Sequence, residues 1–135
     1  MTPQEMWNKY KQINPSIGDE IDAWAFGEEA DFLADLVLKG SKTATASAYD
    51  LYAVDNEPLP QEGTFDIILD GQDQAVCIVE ITRVSVQPFH QVSADHAFKE
   101  GEGDKSLAYW RQVHEDCFAE WLREAGLAFT PESKV

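Results

Sequence analysis

Hydrophobic and polar positions recur with a helical period in most of the chain outside its middle. The pattern predicts two short helical segments, one through Ile21 and Trp24 and one over residues 93–99. A short, weakly amphipathic helix is predicted over residues 4–12, and clearer helices are predicted over residues 28–39 and 105–124. Gly40 and Gly126 follow the last two of these, at the position where a residue in the left-handed conformation commonly ends a helix.

A period of two replaces the helical period in the middle of the chain. Residues 65–69 alternate as a half-buried strand, Asp70-Gly71 marks a hairpin turn, and residues 75–86 predict a long strand or a bent pair of strands. The small residues at positions 43–46 predict either a strand or an extended loop. This order predicts one α+β domain over residues 1–135, with a small, mostly antiparallel sheet or barrel packed with several helices.

Composition and charge restrict the partners. The 135 residues suit one domain, and 44% hydrophobic with 11% aromatic residues exclude a disordered chain. The formal net charge is −15, and residues 1–40, 41–90 and 91–135 carry −5, −6 and −4. Because a protein that holds a phosphate backbone needs a surplus of Lys and Arg, this charge argues against double-stranded DNA. A small ligand or a short single-stranded RNA remains compatible with it.

Nothing in the sequence indicates a membrane, a disulfide framework or a metal. No basic start precedes an apolar run, and no stretch approaches the ~20 apolar residues of a membrane span, so we expect a cytoplasmic protein. Cys77 and Cys117 are expected to be buried, reduced thiols. His90, His96 and His114 lack the spacing of metal ligands, and no cofactor is expected.

Two charged residues have unusual neighbours in the sequence. Glu80 shares one side of the predicted strand with apolar residues, a costly position that suits a general acid or base. A strand-end carboxylate that reaches solvent or an ion pair is the equal alternative. Lys42 precedes several hydroxyl residues and, near a buried carboxylate, would activate a nucleophile or orient a carbonyl. A lysine that simply faces solvent is the alternative there.

The last predicted helix carries an apolar and aromatic stripe that includes His114. The stripe is typical of a core, and His114 within it is more typical of a hydrogen-bonded core histidine than of a catalytic one. Tyr109 and Arg111 flank the stripe and either reach a cleft or lie at the surface. The acidic loop 100–104 would repel phosphate, and we interpret it as a flexible entry in which Asp104 caps the helix.

Several short motifs follow one another along most of the chain. They are Ala23-Trp24-Ala25-Phe26-Gly27, the run from Gly40 to Ser47, Glu57-Pro58-Leu59-Pro60 with Gly63, the strand around Glu80, Glu100-Gly101-Glu102-Gly103-Asp104, and then Tyr109, Trp110 and His114. In this order they resemble the longer bacterial branch of the ASCH family, the activating-signal-cointegrator homology domains. The resemblance implies a PUA-like fold, a small β-barrel beside helices, with a cleft at the Lys-x-x-Thr segment.

The resemblance also implies a chemistry. Family members are associated with RNA or modified-nucleoside recognition, a shorter branch hydrolyses the acetyl amide of N4-acetylcytidine, and some members are described as ribonucleases. By motif position, Lys42 would activate the Thr45 hydroxyl and Glu80 would pass the proton to the leaving amine. Ser47 stands where the shorter branch has an arginine, and Arg83 is the cation that would replace it.

We therefore expect a small cationic cleft for a modified nucleoside or short RNA, with amide hydrolysis favoured over RNA cleavage. The alternatives are a non-catalytic RNA-binding module, a single-stranded RNA ribonuclease, or an acidic adaptor for a protein partner. Ligand contacts are expected from Ser47, Tyr49, Arg83, Tyr109 and Arg111. Residues 129–135 lack the apolar strand that the family usually adds, which predicts either a differently closed barrel or an exposed edge able to pair in a homodimer.

Overall fold

A computed structural model describes residues 1–135 and contains five α-helices and one three-stranded sheet. In chain order the elements are α1 (Pro3–Ile13), β1 (Ala23–Ala25), α2 (Ala30–Leu38), α3 (Tyr49–Val54), β2 (Phe65–Leu69), β3 (Ala75–Glu80), a 3-10 turn (Phe89–Gln91), α4 (Ala94–Glu100) and α5 (Leu107–Glu124). The predicted α+β class is confirmed. The sheet is open, in the order β1–β2–β3, whereas the resemblance implies a closed barrel.

The first of two compact units comprises Met1–Ser41 and Pro60–Val84. It contains α1, α2 and the whole sheet, in which β2 pairs parallel with β1 and antiparallel with β3. Because β2 is the central strand, its apolar side chains are the most protected, and Ile67 is completely buried. Trp7 of α1 packs into the same core cluster.

The second unit comprises Lys42–Leu59 and Ser85–Val135 and contains α3, α4 and α5. Its core is aromatic: Phe89 stacks on Trp110 with 5.3 Å between ring centroids and meets Phe118 edge to face. Trp110 and Phe118 are both buried on the inner face of α5. The stripe predicted for the last helix therefore does form a core.

Periodicity located four of the helices to within two residues at each end, namely α1, α2, α4 and α5. Gly40 and Gly126 have φ angles of 82° and 78°, so both occupy the expected left-handed conformation just beyond their helices. The cap of α5 differs from the prediction. The Ser106 hydroxyl accepts from the amide of Tyr109, while the Asp104 carboxylate accepts from the amide of Ser106.

Other elements differ from the prediction because distant pairing or packing decides them. The predicted helix through Ile21 and Trp24 is wrong, since Ala23–Ala25 forms a strand in parallel register with β2. The predicted strand over 75–86 ends at Glu80. The sequence pattern does not predict the helix α3, because its six residues are too few to show a helical period.

The last residues pair with an earlier segment of the second unit. Gln87 and Val135 exchange backbone hydrogen bonds, and the amide of Phe89 donates to the carbonyl of Ser133. Val135 packs against the aromatic core. The chain end thus forms a short antiparallel bridge within its own unit. No helix has both the length and the apolar character needed to cross a membrane.

We predict that Ile67→Ala lowers the free energy of unfolding by about 2–5 kcal/mol, because it opens a cavity in a fully buried position. Chemical denaturation measures the change. Ile13→Ala, which truncates a side chain that is 79% exposed, should change stability by less than about 0.5 kcal/mol. Equal losses for both variants would contradict the placement of β2 at the core.

Candidate functional site

Lys42 is buried, with only 4% of its surface exposed. Burial alternates along the segment that follows it, so Thr43, Thr45 and Ser47 are exposed while Ala48 is buried. The amide of Thr43 donates to the carbonyl of Lys99 at 2.7 Å, which fixes the segment beside the end of α4. The alternative of a solvent-facing lysine is therefore wrong.

Two carboxylates hold the ammonium group of Lys42. Its Nζ lies 3.1 Å from Oε1 of Glu100 and 2.9 Å from Oε2 of Glu102. Glu100 is the last residue of α4 and is 1% exposed, whereas the side chain of Glu102 retains 15% exposure. The site is therefore built around a buried ion pair with a second, more accessible carboxylate beside it.

Three further groups surround the carboxylate of Glu100. The indole Nε1 of Trp110 donates to Oε2 at 2.5 Å, and Nε2 of His96 lies 2.7 Å from the same oxygen. Nε2 of His114 lies 3.4 Å from Oε1, the oxygen that Lys42 also contacts. Both oxygens are thus met by hydrogen-bonding partners, which is what a buried carboxylate requires.

The helical repeat explains why these groups converge. His96 lies one turn before Glu100 on α4, and Trp110 lies one turn before His114 on α5, so each pair shares a helix face. Gly101, with φ 72°, ends α4 and turns the chain. The two rings on α5 stack with 4.2 Å between centroids.

The stacking also orients the imidazole of His114. Its Nδ1 lies 2.8 Å from the backbone carbonyl of Trp110. A carbonyl can only accept, so Nδ1–H donates a hydrogen bond to it. Nε2 is left facing Glu100. The sequence interpretation of His114 as a hydrogen-bonded core histidine fits this half-buried position, but it does not include the contact with the carboxylate.

The surroundings keep Glu100 ionised. Burial by itself raises its pKa, but the hydrogen bonds of His114 and His96 and the charge of Lys42 outweigh that effect. The pKa of Glu100 is consequently held well below its usual range. Glu100 is thus a fixed negative charge at neutral pH, and with Glu102 it offsets the charge of Lys42. A cationic cleft is expected here from the sequence, whereas the charge of Lys42 is already offset by these two carboxylates.

Most of the residues expected to contact a ligand lie in the same unit as Lys42. Thr45 and Ser47 are exposed, Tyr49 is half-buried at the start of α3, and Tyr109 is 39% exposed. Arg111 is exposed and donates to the backbone carbonyl of His90 at 3.0 Å. The hydroxyls of Thr45 and Ser47 are thus exposed, whereas Lys42 of the same segment is buried.

Glu80 and Arg83 belong to the other unit. Glu80 is exposed at the last position of β3, opposite Phe65 in the antiparallel pair. The expectation that it interrupts a buried apolar face is wrong, because the strand ends at this residue. Arg83 is also exposed. The carboxylate that the structure places against Lys42 is that of Glu100, from a different part of the sequence.

The same groups include a set of metal-ligand types. Three ligand atoms lie within 4.8 Å of one another, one each from Glu100, Glu102 and His114. Carboxylate oxygens and an imidazole nitrogen would suit a divalent cation. However, Lys42 already provides a positive charge between the two carboxylates.

Sequence reasoning missed Glu100, Glu102, His96 and Trp110 as members of the site. The signal lay in two pairs four residues apart, His96 with Glu100 and Trp110 with His114. Each pair would share one helix face, and a short acidic loop brings the two helix ends together. Nothing local to Lys42 shows which carboxylate meets it, since Glu100 lies 58 positions away.

Comparison with known proteins agrees with the resemblance described above. The family model described as ASCH domain matches residues 22–135, and so includes parts of both units. The chain belongs to the ASCH domain family. No curated protein matches the sequence.

Two crystal structures are similar over almost the whole of this ASCH domain protein. One is the ASCH domain from Lactobacillus crispatus JV V101, at 33% identity and a TM-score of 0.89, with 98% of this chain and 87% of that chain covered. The other is a protein from Enterococcus faecalis V583, at 34% identity and a TM-score of 0.88, with 98% and 82% covered. The α+β architecture is thus the one observed in an ASCH domain, consistent with a PUA-like fold.

Removing Lys42 should destabilise the protein strongly, because it leaves the buried carboxylate of Glu100 without its cation. We expect Lys42→Met to lower the free energy of unfolding by about 3–5 kcal/mol. The double variant Lys42→Met/Glu100→Gln should lose less than the sum of the two single variants.

Denaturant titration of all four proteins measures this coupling. Lys39→Met is the matched control, since Lys39 makes an exposed ion pair with Asp35 that is worth at most about 1 kcal/mol. Additive losses from the two single variants at the site would contradict a direct Lys42–Glu100 interaction.

Acid should reveal the lowered pKa of Glu100. The folded-state pKa is below that of the unfolded chain, so the stabilisation is fully present above about pH 4.3, the usual value for glutamate. It is lost as the pH falls below that value towards the folded-state pKa. Wild-type stability should therefore decline with acid more steeply than that of Glu100→Gln, as followed by denaturation between pH 6 and pH 2. Parallel curves would refute this assignment.

Proposed function

We propose that this ASCH domain protein binds a modified nucleoside at the Lys42 site and hydrolyses an N-acyl amide such as that of N4-acetylcytidine. The observation that carries the proposal is the buried lysine of the Gly-Ser-Lys-Thr segment, held by Glu100. A buried ion pair is weak support for stability alone, because apolar residues of similar volume often stabilise a protein equally well. The presence of a buried ion pair in this segment therefore favours a chemical role.

The fixed charges define what Lys42 would do. With two carboxylates against it, Lys42 is suited to donating a hydrogen bond rather than to removing a proton. An acyl carbonyl oxygen that reached Nζ would be polarised as negative charge develops on it during attack. Thr45, exposed in the same segment, would supply the hydroxyl that attacks the carbonyl carbon or orients the attacking water. Glu80 is not needed in this scheme.

The reaction is a hydrolysis. The bond between the acyl carbon and the exocyclic nitrogen of the base breaks, water supplies a hydroxyl to the acyl group, and a proton passes to the leaving amine. The products are acetate and cytidine when the substrate is N4-acetylcytidine. Neither an oxidant nor a metal ion is required for this balance.

Overall charge supports a small substrate. ASCH domains are associated with RNA binding, but a net charge of −15 opposes the capture of a long polyanion. A nucleoside carries no phosphate and avoids that repulsion. Tyr49 and Tyr109, both partly exposed in the second unit, are the candidates for stacking on its base.

We predict that the protein converts N4-acetylcytidine to cytidine and that Thr45→Val lowers kcat/KM by at least about 100-fold. Chromatographic detection of cytidine measures the rate. Thr64→Val is the matched control, because it makes the same chemical change at an exposed threonine of the first unit and should retain wild-type activity.

Two outcomes would contradict the proposal. One is the absence of turnover in the folded wild-type protein, and the other is equal activity of Thr45→Val and wild type. Tight binding of a short RNA at low salt, with a steep loss of affinity as salt rises, would instead favour the alternative of a non-catalytic RNA-binding module.

A further inference from the structure

The two carboxylates on Lys42 differ in how they are held. Glu100 is fixed by Trp110 and two histidines and is 1% exposed. Glu102 retains 15% side-chain exposure and contacts Lys42 from the loop that follows α4. Glu102 is therefore the member of the pair that an incoming ligand would meet first.

The loop holds Glu102 in a defined position. Gly101 and Gly103, on either side of it, have φ angles of 72° and 57°, a conformation that favours glycine. The ring of Tyr109 packs directly over Gly103, where an added Cβ would come within 2.5 Å of it. Glu102 therefore reaches Lys42 from a tightly packed turn rather than from a loose chain.

The charges of the site then decide which ligands can share Lys42. One ammonium group faces two carboxylates at 3.1 and 2.9 Å, so the charge of Lys42 is already matched before an anion arrives. A phosphate group would meet the carboxylate of Glu102 as a like charge, and juxtaposed like charges across an interface oppose binding. A neutral carbonyl oxygen can accept a hydrogen bond from the ammonium group without that cost.

We propose that Glu102 is a specificity-determining residue, which excludes phosphate-bearing ligands from Lys42 and admits uncharged nucleosides. The proposal rests on the proposed function, because it assumes that the nucleoside binds at Lys42. Under this proposal, the carboxylate of Glu102 lets the protein distinguish a nucleoside from its nucleotide. The overall negative charge of the chain does not produce this selectivity.

The test compares three probes on three proteins. Inorganic phosphate, cytidine 5′-monophosphate and N4-acetylcytidine are titrated by NMR or calorimetry against wild type, Glu102→Gln and Glu120→Gln. Glu120 is exposed on α5, so its substitution changes the net charge equally while leaving the site intact. Melting temperatures show that each variant is folded, and Glu102→Ala serves as a second variant at the same position.

We expect Glu102→Gln to bind phosphate and the monophosphate at least about 10-fold more tightly than wild type, equivalent to about 1.4 kcal/mol. Binding of N4-acetylcytidine should change by less than about threefold, and Glu120→Gln should match wild type throughout. An equal gain in Glu120→Gln would overturn the proposal, because general charge would then explain the selectivity. No gain for the anions in either variant at Glu102 would overturn it as well.

The two proposals fail in different ways. If N4-acetylcytidine binds to none of the proteins while Glu102→Gln gains affinity for phosphate, the nucleoside function fails and the exclusion of anions by Glu102 stands. If the nucleoside binds equally to all the proteins and the anions bind to none, the nucleoside function stands and the role of Glu102 fails.

Discussion

The buried pair of Lys42 and Glu100 is the interaction on which the second unit depends. Removing two charges from water costs several kcal/mol each, and their attraction offsets that cost only when the remaining hydrogen-bonding positions are filled. Trp110 and two histidines fill them, and they come from α4 and α5 at neighbouring turns. The packing of these helices is therefore restricted by polar geometry as well as by the aromatic core. A change in the register of α5 by one residue would take Trp110 and His114 away from the buried carboxylate.

The same constraint determines what the site can contribute chemically. Hydrogen bonds and a neighbouring cation hold the pKa of Glu100 low, so it orients Lys42 and does not exchange protons near neutral pH. Lys42 is likewise held between two carboxylates as a donor. Preorganised charges of this kind stabilise charge that develops on a substrate without having to rearrange. In the proposed hydrolysis, proton transfer is therefore not assigned to Glu100.

Local pattern predicted the parts of the fold that local forces determine. Four helices follow from apolar spacing, two of them with the expected glycine caps, and the strand over residues 65–69 with its Asp-Gly turn follows from alternation. β1 could not be recognised, because its three residues become a strand only through parallel pairing with Ile67–Leu69, more than forty positions away. The exposure of Glu80 could not be predicted either, for a local reason. Its alternation with apolar neighbours was genuine, but the strand ends there and the side chain is exposed.

The site shows why Lys42 was easier to find than its partner. The Gly-Ser-Lys-Thr motif identifies Lys42 in the sequence. Its partner Glu100 lies 58 positions away and meets Lys42 only through tertiary packing. The sequence predicts that the acidic loop that holds Glu102 repels phosphate, and the ion pair with Lys42 gives that prediction a physical basis. A carboxylate within 3 Å of the lysine removes the attraction that a phosphate would feel, and the surrounding charge of −15 adds to the effect over a longer range. The nearby carboxylate and the net charge both oppose the binding of polyanions. Lys42 would therefore favour a ligand that offers a neutral acceptor oxygen.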